Sequence, residues 1–135
     1  PEALKHALNE IREFYTGEIW CVFGCGGDRD KEKRPIMGKI AEDYSDHVII
    51  TDDNPRSEAP QSIMDDILEG TTKAENIKTI SDRREAIQFT IEEMAKRKGM
   101  NIMLLAGKGH ENYQIVGSKR NKFDDRETLL SLTRS

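Results

Sequence analysis

Three short runs in this chain are apolar at every position rather than at every second one: Ile19-Trp20-Cys21-Val22-Phe23, Val48-Ile49-Ile50 and Ile102-Met103-Leu104-Leu105. Such a strand has no face to offer water, so it belongs inside a sheet covered above and below, the setting of parallel strands. Parallel neighbours cannot be joined by a tight turn and need a crossover, usually a helix. Segments of helical period lie between the runs. Leu4, Ala7, Leu8, Ile11 and Phe14 put one helix over 2–15. Pro35 opens a second, with Ile36, Met37, Ile40, Ala41 and Tyr44 as its buried stripe. Ser57 caps a third carrying Ile63, Met64, Ile67 and Leu68, closed by Gly70. A short strand follows at 77–80, and Asp82 with Glu85 forms a capping box for a helix with Ile87, Ile91 and Met94 that stops at Gly99. Beyond the last interior run, 113–116 and 120–123 read as a hairpin across Gly117-Ser118. Asp124 and Glu127 then box a final helix holding Leu129, Leu130 and Leu132. The pattern predicts a Rossmann-like α/β fold: a mostly parallel sheet, helices on both faces and a C-terminal antiparallel hairpin.

Size and charge narrow what such a fold can serve. With 135 residues the chain suits a single domain over 1–135 with a real core. A charged fraction of 34% and the lack of any long apolar run point away from the membrane, and the absence of a leader points to the cytoplasm. A formal net charge of −4 argues against nucleic acid, whose partners are usually basic, but leaves small anions open because they answer to the local field. Cys21 and Cys25 lack the spacing of a redox pair and the further ligands of a zinc site, so they read as thiols of a reducing compartment.

Chemistry concentrates in the loops that follow the three apolar runs. In a parallel sheet these open on one edge, where ligands bind. The first, Gly24-Cys25-Gly26-Gly27-Asp28-Arg29-Asp30, presents Arg29 beside flexible glycines. The second, Thr51-Asp52-Asp53-Asn54-Pro55-Arg56, is stiffened because Asn54 precedes proline, and it aims a guanidinium. The third, Ala106-Gly107-Lys108-Gly109-His110-Glu111, offers backbone carbonyls and a carboxylate. Arginine's planar fork matches a carboxylate in a way lysine's point charge does not. Two arginines and one glutamate around a shared cleft suit a ligand with carboxylates and an ammonium: an amino acid, or better a diamino diacid.

Other readings of these loops fit less well. A dinucleotide fingerprint needs its third glycine where Arg29 stands, and the Gly107-Lys108-Gly109 loop lacks the Ser or Thr of a Walker motif. His110 is best explained as a brace for its own loop, and the run from Asp28 to Arg34 as a solvated stretch of alternating charge. No metal cluster or nucleophile–base pair stands out in the sequence.

These stretches resemble the C-terminal domain of the Mur ligases. The resemblance is carried by Trp20 to Asp30, by Asp52-Asp53-Asn54-Pro55-Arg56 and by Ala106 to Glu111 with Tyr113-Gln114. Lys33-Arg34-Pro35, Met37-Gly38 and Asp125-Arg126-Glu127 add to it, in the family's order over essentially the whole chain. It implies an ATP-dependent, amide-forming step of cytoplasmic peptidoglycan synthesis. There the γ-carboxylate of D-glutamate is phosphorylated and the incoming amino acid's amine attacks the acyl phosphate. The Asp53-Asn54-Pro55-Arg56 tetrapeptide is similar to the family's marker for meso-diaminopimelate. Carried over, the substrate-binding residues are Arg29, Asp53, Asn54, Pro55, Arg56, Gly107 and Glu111, with no catalytic residue and no metal ligand in this stretch. The family's phosphate loop, carbamylated lysine and magnesium ligands belong to a central domain, and its UDP-substrate domain precedes that. The resemblance thus implies that ATP, Mg2+ and the UDP-N-acetylmuramoyl-dipeptide are bound mainly outside these residues. It implies too that the fragment is a monomer inactive alone. The alternative is a stand-alone Rossmann-like binding module for an anionic amino acid or a nucleotide.

Overall fold

The computed structural model describes residues 2–25, 31–52, 57–106, 113–121 and 124–134, the last two segments mainly as backbone. Elements alternate as α1 (Glu2–Phe14), β1 (Glu18–Phe23), α2 (Lys33–Tyr44), β2 (His47–Ile50), α3 (Pro60–Leu68), β3 (Ile77–Thr79), α4 (Arg83–Ala95) and β4 (Gly99–Ala106). Two long strands follow, β5 (Tyr113–Asn121) and β6 (Asp124–Arg134). The sheet order is β3-β2-β1-β4-β5-β6, with the first four strands parallel and the last two antiparallel. The expected α/β sheet with a C-terminal antiparallel element is therefore present.

The two faces of the sheet show why the interior strands are apolar throughout. Ile19, Cys21 and Phe23 point to a core shared with Leu4, Leu8 and Ile11 of α1, Ala41 of α2 and Ile63, Met64 and Ile67 of α3. Trp20 and Val22 point the other way, onto Ala86 and Met94 of α4 with Ile49, Met103 and Leu105. Alternate residues of one strand feed two different cores, so no position can be polar without cost. The exception is Asn101, fully buried, whose Oδ1 accepts a 3.0 Å bond from the Trp20 indole N–H.

Several local expectations need correction. The last helix is instead β6, paired antiparallel to β5 from Tyr113↔Arg134 to Asn121↔Asp124, with an irregularity at Arg120/Asn121. A capping box is a local signal worth about 1 kcal/mol; a full ladder satisfies the backbone groups that β5 would otherwise leave on an open edge. For the same reason β5 runs straight through Gly117-Ser118 to Asn121, where the expected hairpin turn would have been. Helix α2 begins at Lys33 rather than Pro35, and α3 at Pro60 behind Ala59, so Ser57 lies in a turn and not at the cap. Proline at the first helical position needs no partner for its missing N–H, and this sets the start of α3. Phe14 is 69% and Ile36 49% exposed, so neither belongs to its helix's buried stripe. The capping box of α4 is as read, Asp82 accepting from the Glu85 N–H at 3.1 Å.

Candidate functional site

The C-terminal edge of the parallel strands holds the roots of all three chemistry-bearing loops. Phe23 of β1 pairs with Ile50 of β2, and Val22 pairs with Leu105 of β4, so the three strands end at one level. The Thr51 N–H donates to the Phe23 carbonyl at 2.9 Å, carrying the ladder one residue past β2. Chain order adds a second constraint. From β1 the chain steps outward through β2 and β3, then returns to lay β4 on the other side of β1. That reversal is a topological switch point, and in open α/β sheets ligands bind outside the carboxyl ends of the strands at such a point.

The seven residues expected to bind ligand, Arg29, Asp53, Asn54, Pro55, Arg56, Gly107 and Glu111, lie outside the described residues, as does His110. What the structure does show is how the flanks of their loops are held. Thr51 is buried, and its hydroxyl donates to the Ser81 carbonyl at 3.0 Å. The Ser81 hydroxyl in turn donates to Asp52 Oδ2 at 2.9 Å, and the Asp52 N–H to the Ser81 carbonyl at 3.1 Å. The stem of the second loop is thereby tied to the segment after β3. Arg83, in the first turn of α4, donates through Nη2 to the carbonyl of Ala106, at the stem of the third loop. Its Nη1 is buried, with no hydrogen-bond partner among the described residues.

The residue that sequence reasoning missed is Arg34. It is not part of a solvated charge run: it is 1% exposed, among the most buried large side chains of the fold. Its Nη1 and Nη2 donate to Glu58 Oε2 and Oε1 at 2.9 and 2.8 Å, a bidentate pair, and Nη1 also donates to Asp66 Oδ2 at 2.9 Å. The hydrogen bond to Glu58, aided by that to Asp66, raises the guanidinium's pKa above its ordinary value against the pull of burial. A faint signal for this is present in the sequence. Arg34, Gly38 and Ala41 recur at helical spacing and are the buried residues of α2. The two small ones mark a face that comes close to its neighbour, and the α3 chain does lie against Gly38 at Ile67.

Among the described residues no group of three His, Cys, Asp or Glu side chains could hold a metal ion. None of their loops has the glycine-rich, Lys-Ser/Thr form of a nucleotide phosphate cradle either. No helix among the described residues is long and apolar enough to cross a membrane. Neither Cys21 nor Cys25 is in a disulfide.

A sequence profile described as "Mur ligase, glutamate ligase domain" matches residues 1–109. The chain belongs to the Mur ligase family. Within that family it is 48% identical over 130 residues to the UDP-N-acetylmuramoyl-L-alanyl-D-glutamate–2,6-diaminopimelate ligase of Haemophilus influenzae. The match takes in 96% of this chain but 26% of that protein. A solved structure of a ligase of the same name superposes with a TM-score of 0.71 at 43% identity, over 84% of this chain and 23% of that one. The chain therefore spans about a quarter of the length of these Mur ligases.

Proposed function

We propose that this chain is the C-terminal, amino-acid-selecting domain of a cytoplasmic ATP-dependent ligase. That ligase adds meso-2,6-diaminopimelate to UDP-N-acetylmuramoyl-L-alanyl-D-glutamate in peptidoglycan synthesis. The observation that supports the reading is the common level at which β1, β2 and β4 end, because it roots three loops of complementary chemistry along one edge of the sheet. In this reading Arg29 and Arg56 take the two carboxylates of the diamino diacid. Asp53, Asn54 and Pro55 shape the second loop, while Glu111 and the Gly107 carbonyl accept from the distal ammonium. The domain's task is to hold the other amine free to attack the acyl phosphate of D-glutamate, forming the amide and releasing phosphate and a proton. ATP and Mg2+ are held elsewhere in the full-length protein, so the isolated domain binds without ligating.

Selection follows from what L-lysine lacks. Without a distal carboxylate it would leave a desolvated guanidinium unpaired, a loss of about 3–5 kcal/mol, or roughly two to four orders of magnitude in kcat/KM. A site built to bond a polar group rejects the analogue without it far better than a pocket rejects a missing methylene. The test is Arg56→Lys in the full-length ligase, assayed by phosphate release with meso-diaminopimelate and with L-lysine. A large loss of kcat/KM for meso-diaminopimelate is expected. Unchanged kinetics would remove Arg56 from the selecting role, and preferential binding of NAD by the parent chain would favour a nucleotide-binding module instead.

A further inference from the structure

A cleft of about 280 Å3 lies on the face of the sheet that packs against α4, away from the loop-bearing edge. His47 opens β2 and pairs with Trp20 of β1, and Glu75 stands in the turn before β3, so the cleft sits toward the N-terminal ends of these strands. Lys78 of β3 lines one side, and Phe89, with Arg97 beyond the end of α4, lines the other. The volume falls just below the range of about 300–1,000 Å3 usual for small-molecule sites, which limits an occupant to about the size of an amino acid.

The inner wall of the cleft is aromatic and held in place. The Trp20 and His47 rings stack with centroids 3.7 Å apart and planes 18° from parallel. The Trp20 indole N–H donates to Asn101 Oδ1 at 3.0 Å, and His47 Nε2 lies 3.2 Å from Glu18 Oε1. Arg97 closes the ring of contacts: Nη1 donates to Glu18 Oε2 at 3.4 Å, and the guanidinium lies 5.1 Å from the Trp20 ring centroid. A wall ordered in advance lets a planar ligand stack with little further loss of side-chain freedom.

The charges that line the cleft fall into two groups. Arg97 is engaged with Glu18, and Glu93 with Lys96 Nζ at 2.8 Å. Lys78 and Glu75 are exposed, and among the described residues neither has an ion-pair partner, although both line the same cleft. An aromatic anion would suit Lys78 and be repelled by Glu75, and an aromatic cation the reverse. A ligand that carries both charges beside a planar ring satisfies the two together.

We propose that this cleft binds an aromatic α-amino acid, its ring against the Trp20–His47 wall and Phe89, its carboxylate on Lys78 and its ammonium on Glu75. The site is independent of the amino-acid-selecting role argued above. Trp20 is the only tryptophan in the chain, so its fluorescence reports on the cleft directly. L-Phenylalanine, which does not emit where tryptophan does, is titrated into the 135-residue chain. A saturable change in Trp20 emission is expected, with a Kd that meso-diaminopimelate leaves unmoved, and L-alanine, which lacks the ring, should give none. Phenylalaninamide and 3-phenylpropanoate each lack one charge and should bind about two- to fivefold more weakly than L-phenylalanine, the effect of losing one exposed ion pair. Lys78→Gln and Glu75→Gln change exposed side chains that hold nothing in the fold, and each should weaken L-phenylalanine by the same about two- to fivefold. The proposal is overturned if L-phenylalanine gives no saturable change, or if L-alanine gives the same one. It is overturned equally if both variants leave the Kd unchanged, since the cleft would then be only an apolar slot, or if meso-diaminopimelate displaces L-phenylalanine, since the signal would then come from the other edge of the sheet.

Discussion

Replacing Arg34 by methionine asks what the buried cluster contributes to stability. Methionine fills much of the volume, so the loss is mainly electrostatic. Removing one member of a buried ion cluster typically costs about 3–5 kcal/mol, because the carboxylates left behind are stranded. Here Glu58 is 14% and Asp66 35% exposed, so water reaches Asp66 and the lower end, about 3 kcal/mol, is expected. For a domain of this size that is a fall in Tm of about 10–15 °C. Urea unfolding of the 135-residue chain, followed by far-UV circular dichroism, measures it directly. The double variant Arg34→Met/Glu58→Leu removes the stranded charge as well and should recover part of the loss, for the same reason that apolar replacements of buried ion pairs are often tolerated. An Arg34→Met chain within about 0.5 kcal/mol of the parent would refute the reasoning, because it would mean the carboxylates were never desolvated.

Other consequences are open to measurement. Burial pushes the Cys21 thiol up from an ordinary 9.0 to about 12. The unfolded chain therefore gives up this proton near pH 9 while the fold retains it. The contribution is fully present below pH 9 and is lost as the pH rises to 12, at about 1.4 kcal/mol per pH unit. Cys21→Ala should flatten that alkaline slope, and a slope unchanged in the variant would contradict the burial. At Gly38 an added Cβ would press into the Ile67 carbonyl oxygen and meet Ile67 Cγ2 at 3.2 Å. Overpacking of about 1–3 kcal/mol outweighs a helix-propensity gain of up to about 1 kcal/mol, so Gly38→Ala should destabilise by about 1–2 kcal/mol. A neutral or stabilising Gly38→Ala in the same unfolding assay would show that α2 and α3 are not seated this closely. Finally, the isolated chain should show no diaminopimelate-dependent ATP turnover, and any such turnover would place ligation chemistry within it.

How much of this was legible in the sequence depended on how local each signal is. The interior strands are plain because Trp20 and Cys21 serve opposite cores, so both had to be apolar, and no turn or cap competes with that pattern. The α4 cap is plain because Asp82 and Glu85 lie within one turn of each other. By contrast, Arg34 finds its partners 24 and 32 residues away, and no spacing rule links an arginine to acids at such separations. A charged residue among charged residues reads as solvated until its neighbours in space are known. The β6 strand fails from sequence for the converse reason: its local capping signal is real, but the ladder to β5 is not local and prevails. The loops drew attention because Arg29, Arg56 and Glu111 stand among ordinary turn residues, and their shared edge follows from strand parallelism.

The most direct test is a crystal structure of the full-length ligase with meso-diaminopimelate bound. The account predicts the ligand in the crevice over the C-terminal ends of β1, β2 and β4, with its two carboxylates on Arg29 and Arg56 and its distal ammonium near Glu111. A diaminopimelate found elsewhere on this domain, for instance in the apolar cleft lined by Ala7, Phe14, Tyr15 and Ile115, would contradict it.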